Sequence, residues 1–291
     1  PTAKEIAEEV DGLGGEFNAA TNKDWTNFYI KARAGNLGTA FDVLADMVLN
    51  PLLKEKEIER EKGVIVEEIR MYEDTPMFRI GDVYEQLAFG KTSLGRDIIG
   101  SEKTVTGLKR DDFVRYRNTY YYPENMLLTV AGGVDEKEVL NLAGQHLSQL
   151  KKAAKSASKP MLFKKKQKRP QVKLHPKRHE QAHFILGFMG EGRNYKGKLV
   201  QAVLAAILGG GMSSRLFSEV RERRGLAYSV RTSVERYEDT GYFGTYAGVD
   251  VKRIDEAIKV TLDEHYKLAN GDTPISAREL KKAKEFIKGH L

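Results

Sequence analysis

The order of predicted secondary-structure elements repeats between the two halves of this sequence. Both halves place a pair of strands, rich in aromatic and β-branched residues, before two helices. The predicted elements lie at 16–32, 36–49 and 57–73 in the first half, and at 227–247, 251–269 and 276–291 in the second. The repeat predicts an α+β fold of two homologous domains, each a mainly antiparallel sheet with helices packed on one face.

The length agrees with two domains, since 291 residues exceed what one ordinary hydrophobic core organises. We place the domains at 1–150 and 179–291, joined by a linker at 151–178. Within the first domain, Asn125 to Ala131 is apolar and precedes two glycines. We therefore predict a buried strand at 125–131.

Composition excludes several classes of protein. The hydrophobic content of 41% and charged content of 31% are those of a soluble globular chain, and no run approaches the 18 or so apolar residues of a membrane-spanning helix. The absence of cysteine excludes disulfides and cysteine-ligated zinc, and is compatible with a reducing compartment. The sequence begins without a methionine or a signal peptide and stops inside a predicted helix, so we expect a fragment.

The net charge of +7 is concentrated in one segment. Residues 151–178 contain 12 lysines and arginines and no acidic residue, whereas the rest of the chain has 36 basic and 41 acidic side chains. This segment could bind RNA or another polyanion. Phe163 is its one aromatic residue, and stacking aromatics are typical of single-strand binding. We therefore favour an exposed linker, and nucleic acid is an unlikely partner.

The predicted helix at 57–73 carries two carboxylates with unusual neighbours. Glu61 and Glu68 are seven residues apart, and so share one face about 10 Å apart along the axis. Val64 and Ile65 lie between them on that face, so we expect both carboxylates on the apolar side of the helix. A buried carboxylate is neutralised, paired or bound to a metal. In the alternative interpretation, the charges of this helix form a solvated surface with weak i,i+4 pairs.

The clearest short motif, His179-Glu180-Gln181-Ala182-His183, matches the H-E-x-x-H pattern of zinc peptidases. That pattern requires a helix, but Pro176 precedes it and an apolar, strand-like run follows His183. In an extended chain, residues four apart are separated by about 13 Å, which is too far for one zinc ion. We interpret the match as a coincidence and His183 as a sheet residue.

The second half contains a glycine-rich turn followed by a short helix. Gly209-Gly210-Gly211 precedes Met212 instead of the Lys-Ser/Thr of a phosphate-binding loop, so it is not such a loop. The helix ends at Gly225, and a strand that contains Tyr228 begins at Ala227. In the simplest interpretation, Arg221, Arg223 and Arg224 complement the dipole at the C-terminal end of that helix.

Taken in order, these motifs resemble the pitrilysin/insulinase family of zinc peptidases (M16). The similarity is to its short branch, which includes bacterial processing peptidases and the mitochondrial processing peptidase β subunit. It extends over essentially the whole chain. The matching motifs are Gly14-Gly15-x-x-Asn18-Ala19-x-Thr21, Glu61 to Ile69 with Asp74-x-Pro76, Leu94-Gly95-Arg96, Gly209 to Phe217, and Arg221 to Tyr228.

The resemblance implies roles for particular residues. Glu68 matches the glutamate ligand of zinc, and Glu61 matches a glutamate that supports the site. Asn18, Ala19, Ala20 and Thr21 match an edge strand to which a peptide substrate adds. Arg221 and Tyr228 match a pair that binds the substrate carbonyl and the developing oxyanion. The two histidine ligands belong to an H-x-x-E-H motif, and the family spacing places that motif upstream of Pro1.

The implied function is a zinc metalloendopeptidase that acts on extended or unfolded peptides. All four of Glu61, Glu68, Arg221 and Tyr228 are present, which favours an active parent enzyme whose motif helix is missing here. The resemblance also implies a homodimer in the bacterial cytoplasm, or alternatively in the mitochondrial matrix. Two other functions stay open. One is a non-catalytic structural subunit of the same family, and the other is an RNA or anion binder acting through 151–178.

Overall fold

The computed structural model describes residues 2–150, 162–163 and 167–290. The chain divides into two compact units, an N-terminal unit of residues 1–69 and 98–160 and a C-terminal unit of residues 70–97 and 161–291. Residues 70–97 thus group with the second half of the chain. The domain boundaries at 150 and 179 stay a prediction, and most of the segment 151–166 lies outside the described residues.

Helices and strands both occur among the described residues, which confirms the predicted α+β class. The strands are β1 (Glu16–Thr21), β2 (Thr26–Lys31), β3 (Gln181–Glu191), β4 (Ala227–Arg236) and β5 (Thr240–Asp250). The α-helices are α1 (Ala3–Gly12), α2 (Leu37–Leu49), α3 (Glu55–Asp74), α4 (Pro76–Phe89), α5 (Glu102–Gly107), α6 (Arg110–Tyr120), α7 (Glu136–Leu147), α8 (Lys198–Gly209), α9 (Ile254–Asn270) and α10 (Ala277–Lys288). None of the helices in this part of the chain combines the length and apolar composition that a bilayer crossing needs.

In the N-terminal unit, β1 and β2 form the predicted antiparallel hairpin. Its register runs from Glu16 opposite Lys31 to Thr21 opposite Thr26. Helix α2 packs against β2 and α7. Helix α3 packs through Val66 and Ile69, which form a buried cluster with Val105 of α5. The hairpin therefore stands at the surface of this unit, supported by helices.

The C-terminal unit is built on an antiparallel sheet with the strand order β3-β5-β4. Its core lies between this sheet, α9 and the segment after α8. Small and β-branched side chains of the strands pack there against fully buried Leu216, Val220 and Leu226. The predicted strand pair and both following helices are confirmed in this unit.

The predicted strand at 125–131 is not formed. Residues 126–130 have no regular secondary structure, and Leu127–Ala131 make no backbone hydrogen bond within the described part of the chain. Leu127 is 91% exposed, and Met126 and Leu128 are also exposed. The prediction was wrong because a strand needs a partner strand, and none of the described strands pairs with this segment.

Helix α4 packs against β3 in the C-terminal unit through an aromatic cluster around one carboxylate. The ring centroids of Tyr84 and Tyr242 are 4.7 Å apart. The buried Glu85 accepts hydrogen bonds from the hydroxyls of Tyr237 and Tyr242. Tyr84 lies over Gly187 of β3, where a Cβ atom would come within 2.2 Å of its hydroxyl oxygen. Because Gly187 has no side chain, Tyr84 of α4 can pack directly on the backbone of β3.

We expect this tyrosine cluster to make the protein sensitive to alkaline pH. Burial, followed by the charge of Glu85, raises the pKa of Tyr84 to about 12. Burial also raises the pKa values of Tyr237 and Tyr242, and Glu85 adds to both shifts. Above pH 10 the unfolded chain loses these protons while the folded chain keeps them. The free energy of unfolding should therefore fall by about 1.4 kcal/mol per tyrosine for each pH unit between the unfolded and folded pKa values.

Urea unfolding between pH 9 and pH 12 measures this dependence. Tyr84→Phe should reduce the slope, because it removes one buried phenol. A stability that is flat across this interval in the unsubstituted protein would contradict the prediction.

The glycine run at 209–211 serves close packing at the end of α8. A Cβ atom on Gly209 would lie 2.4 Å from Thr232 Oγ1 and 2.5 Å from the Thr232 backbone nitrogen. Thr232 is buried, and its hydroxyl bonds Thr245 Oγ1 at 2.8 Å, so it has no room to move away. The run thus brings the helix against β4, in agreement with the prediction that it is not a phosphate loop.

We expect Gly209→Ala to destabilise the protein by about 1–3 kcal/mol, because the methyl group overlaps a fixed backbone. Gly63→Ala is the matched control. Gly63 is exposed within α3 with nothing within 4 Å of the added atom, and alanine there should stabilise the helix by up to about 1 kcal/mol. Urea unfolding of both variants tests the pair, and equal stabilities would count against this account of the glycine run.

Candidate active site

The two glutamates singled out on α3 face outward, contrary to the prediction. The buried residues of this helix are Lys62, Val66 and Ile69, whereas Glu61 and Glu68 are exposed. Lys62 is buried along its stem because its amino group donates to Glu59 Oε1 at 2.6 Å and to the Thr106 carbonyl at 3.3 Å. The core-facing side of α3 is therefore one residue further round the helix than the sequence predicts.

Glu61 and Glu68 still share one face of α3, and neither has a hydrogen-bond or ion-pair partner among the described residues. Val64, between them, is 48% exposed, and Met71 follows on the same side. These carboxylates are thus available as ligands or bases, on a surface that also presents apolar side chains. Other charges of α3 do follow the alternative interpretation of a solvated surface with weak ion pairs. Arg60, for example, pairs with Glu57 at 2.6 Å, and both side chains are exposed.

Residues Asn18–Thr21 occupy the outer part of the β1–β2 hairpin, and all four are exposed. Strand β1 pairs with β2 along one edge, and no described strand pairs with its other edge. Such an edge presents alternating backbone N–H and C=O groups to an incoming extended peptide. The free edge of β1 can therefore form backbone hydrogen bonds with an added strand.

Arg221 and Tyr228 come together in the C-terminal unit. Arg221 lies in a π-helical segment, Phe217–Glu222, and Tyr228 lies in β4. The guanidinium carbon of Arg221 is 5.2 Å from the centre of the Tyr228 ring and 4.8 Å from that of Phe217. Both elements are irregular here, since the register of β4 against β5 shifts between Ala227 and Ser229 and leaves Tyr228 as the extra residue of a bulge. π-Helical turns and bulges are often found where a side chain is aimed at a ligand.

The three arginines after the glycine run have different partners. Arg223 and Arg224 both pair with Glu219, at 2.6 and 2.5 Å, and Arg224 also donates to the Glu219 carbonyl oxygen. The hydrogen bond from Arg224 lowers the pKa of Glu219, which keeps that carboxylate charged. Arg221 has no hydrogen-bond or ion-pair partner in the described part of the chain, and Tyr228 is 77% exposed. The Arg221 guanidinium thus lies over the ring of an exposed tyrosine whose hydroxyl has no hydrogen-bond partner among the described residues.

His179 and His183 do not form a paired site. His183 lies in β3, as predicted, and its Nδ1 is 2.9 Å from the Tyr246 hydroxyl. His179 precedes the strand. Burial lowers the pKa of His183, which favours the neutral ring.

The residues present do not complete a zinc site. Among the described residues, no three or more histidine, cysteine, aspartate or glutamate side chains are grouped as metal ligands. Glu68 can supply one carboxylate ligand, and zinc in peptidases requires three protein ligands and a water. The metal that the resemblance implies therefore does not fit these residues by themselves.

Part of the basic linker is held against the C-terminal unit. Lys173 Nζ donates to Gln86 Oε1 at 2.6 Å, and Lys177 Nζ donates to Asp74 Oδ1 and to the Glu73 carbonyl, each at 2.7 Å. The remaining side chains of residues 167–178 are exposed. Two of its lysines therefore have partners within the chain.

Sequence profiles of two families cover nearly the whole chain. The one described as Insulinase (Peptidase family M16) matches residues 1–102, and the one described as Peptidase M16 inactive domain matches residues 107–287. This chain belongs to peptidase family M16. Among its M16 relatives, the uncharacterized zinc protease YmxG of Bacillus subtilis is 36% identical over all of this chain and 69% of its own length. An uncharacterized zinc protease of Streptomyces coelicolor is 37% identical over 90% of this chain and 58% of its own length.

The M16 fold is also seen in solved structures. A protease from Helicobacter pylori superimposes on 99% of this chain and 70% of its own, with a TM-score of 0.89 at 24% sequence identity, and shows the fold alone. This chain thus spans 58–70% of the length of these proteins.

The sequence analysis singled out Arg221 and Tyr228 as candidates, and it did not name two residues that contact this segment. Phe217 stacks on Arg221, and Glu219 binds the other two arginines. A signal for both exists in the spacing, since Phe217 precedes Arg221 by four residues and Glu219 precedes Arg223 by four.

Proposed function

We propose that the full-length protein is a zinc-dependent metalloendopeptidase that cleaves extended or unfolded peptides. The observation that carries the proposal is the Arg221–Tyr228 pair, whose side chains are in contact and have no hydrogen-bond or ion-pair partner among the described residues, in a chain of a peptidase family. A cation and a hydroxyl in this arrangement are suited to hold a peptide carbonyl oxygen as negative charge develops on it.

Three sets of residues in this chain have proposed roles in that reaction. The free edge of β1, at Asn18, Ala19, Ala20 and Thr21, binds the substrate backbone as an added strand. Arg221 and Tyr228 donate hydrogen bonds to the substrate oxygen. Glu68 is one zinc ligand, and Glu61 supports it two turns earlier on α3. The described residues contain no group of three or more such ligands, so Glu68 does not form the site by itself.

A non-catalytic structural subunit is the second candidate. It is favoured by the profile described as Peptidase M16 inactive domain, which matches residues 107–287, and by the lack of a complete metal site among the described residues. The two candidates differ in whether the full-length protein hydrolyses peptides.

Metal removal tests the proposal. Incubation of the full-length protein with a chelator should abolish cleavage of an internally quenched peptide, and one equivalent of zinc should restore it. Metal analysis before and after chelation accompanies the assay. Zinc-free protein without hydrolysis in any state would support the structural subunit, and hydrolysis that is insensitive to chelation would refute a metal-dependent enzyme.

We further propose a homodimer located in the bacterial cytoplasm, in keeping with the short branch of the family and with the bacterial relatives. Light scattering of the full-length protein distinguishes a dimer from a monomer.

A further inference from the structure

Arg221 is oriented by aromatic rings instead of by a carboxylate. Its guanidinium carbon lies over Phe217 at 4.8 Å and over Tyr228 at 5.2 Å, and it has no polar partner among the described residues. The neighbouring Arg223 and Arg224 are held by Glu219. A carboxylate occupies the N–H groups of an arginine, whereas a ring contacts the flat face of the guanidinium and leaves its N–H edge available.

The two rings differ in how firmly they are anchored. Tyr228 is 77% exposed and occupies a β-bulge, so the rest of the protein constrains it little. Phe217 is half-buried and packs on the core cluster that contains fully buried Leu216 and Val220. Phe217 and Arg221 lie four residues apart in one π-helical segment, so their side chains meet on the same side. Of the two rings, Phe217 is therefore the one whose position is fixed by the core and can restrict the side chain of Arg221.

We propose that Phe217 is a positioning residue for Arg221. Its ring holds the guanidinium next to Tyr228 with the N–H edge open to a substrate oxygen. This inference rests on the proposed function, because it assigns Phe217 to the same oxygen-binding pair. Glu219 of the same segment accepts hydrogen bonds from Arg223 and Arg224, so its carboxylate is already occupied and Arg221 keeps its aromatic contacts.

A double-mutant cycle in the full-length protein tests the proposal. Phe217→Leu keeps an apolar side chain against the core and removes the ring. It should lower kcat/KM for a quenched peptide about tenfold, which corresponds to a cation–π contact of about 1.4 kcal/mol. In an Arg221→Ala background the same change should have almost no effect, because the group that it positions is gone. Phe217→Tyr keeps the ring and should retain most of the activity.

A second readout does not depend on catalysis. The side-chain Nε–Hε resonance of Arg221, assigned by its loss in Arg221→Lys, should shift in Phe217→Leu because one aromatic ring current is removed. The corresponding resonance of Arg223 is the internal control and should stay in place. Thermal unfolding of each variant shows how much stability the ring itself contributes.

The outcomes separate this proposal from the proposed function. An equal loss of activity from Phe217→Leu in both backgrounds, or an unmoved Arg221 resonance, would overturn the positioning role. If Arg221→Ala leaves cleavage unchanged, the assignment of Arg221 in the proposed function fails. In that case the shift of the Arg221 Nε–Hε resonance in Phe217→Leu is the remaining test of whether Phe217 positions this arginine.

Discussion

Neutralising Glu68 is expected to lower kcat/KM of the full-length protein for a quenched peptide by at least about 100-fold. Losing a residue that only supports a metal ligand costs about 10–100-fold, and losing the ligand itself should cost more. Glu68→Gln keeps the size and the helix propensity of the side chain, so α3 should be unchanged. The zinc content of the purified variant should fall with its activity. Glu68 has no partner among the described residues whose loss would cost stability.

Glu67→Gln is the matched control for this variant. Glu67 is the preceding residue of the same helix, is also exposed, and points about 100° away around the axis. We expect its zinc content and turnover to stay near those of the unsubstituted protein. Full zinc occupancy with unchanged turnover in Glu68→Gln would remove Glu68 from the site.

Truncating Arg221 is expected to have the second largest effect. Arg221→Ala should lower kcat by about 100- to 1,000-fold, or about 2.7–4 kcal/mol, which is typical of losing one donor to a developing oxyanion. KM should change less, because the interaction is stronger in the transition state than in the bound substrate. Tyr228→Phe should show a smaller loss in the same direction. Steady-state kinetics on the full-length protein separate kcat from KM.

Arg223→Ala is the control for Arg221, since it removes the same side chain two residues away. Its ion pair with Glu219 is at the surface, and pairs of this type contribute about 0–1 kcal/mol to stability. Glu219 keeps Arg224 in that variant. We expect cleavage near the unsubstituted level. A similar loss in both variants would mean that net positive charge matters, and the specific role of Arg221 would be wrong.

The elements that could be predicted from the sequence are those whose signals are local. The hairpin at 16–31 has its turn and both strands within 16 residues, and the helices have clear periodicity and end signals. The segment 125–131 has the same strand-like composition, but its pairing partner would be distant in sequence. The composition of this segment is compatible with a strand, but a strand forms only where a second strand provides backbone hydrogen bonds.

The orientation of α3 also depends on a distant contact. Val64 with Ile65 and Val66 with Ile69 offer two apolar stripes on neighbouring sides of the helix, and the sequence does not choose between them. Val105 of α5 packs on the second, and the Thr106 carbonyl accepts from Lys62. Glu61 and Glu68 are left outside as a result. Their proposed roles, like those of Arg221 and Tyr228, come from the family resemblance. The four-residue spacing indicates that Phe217 and Arg221 can meet, and the distance in the structure shows that they do.

The unpaired segment at 126–131 affects how this polypeptide behaves in solution. It is an uncharged, proline-free run with exposed leucines, which is the composition of strands that stack between molecules. Leu127–Ala131 make no backbone hydrogen bond to any described residue. Pro123 and Glu124 are gatekeepers on its N-terminal side alone. The segment can thus pair with the same segment of another molecule, and work on this chain has to separate such self-association from biological assembly.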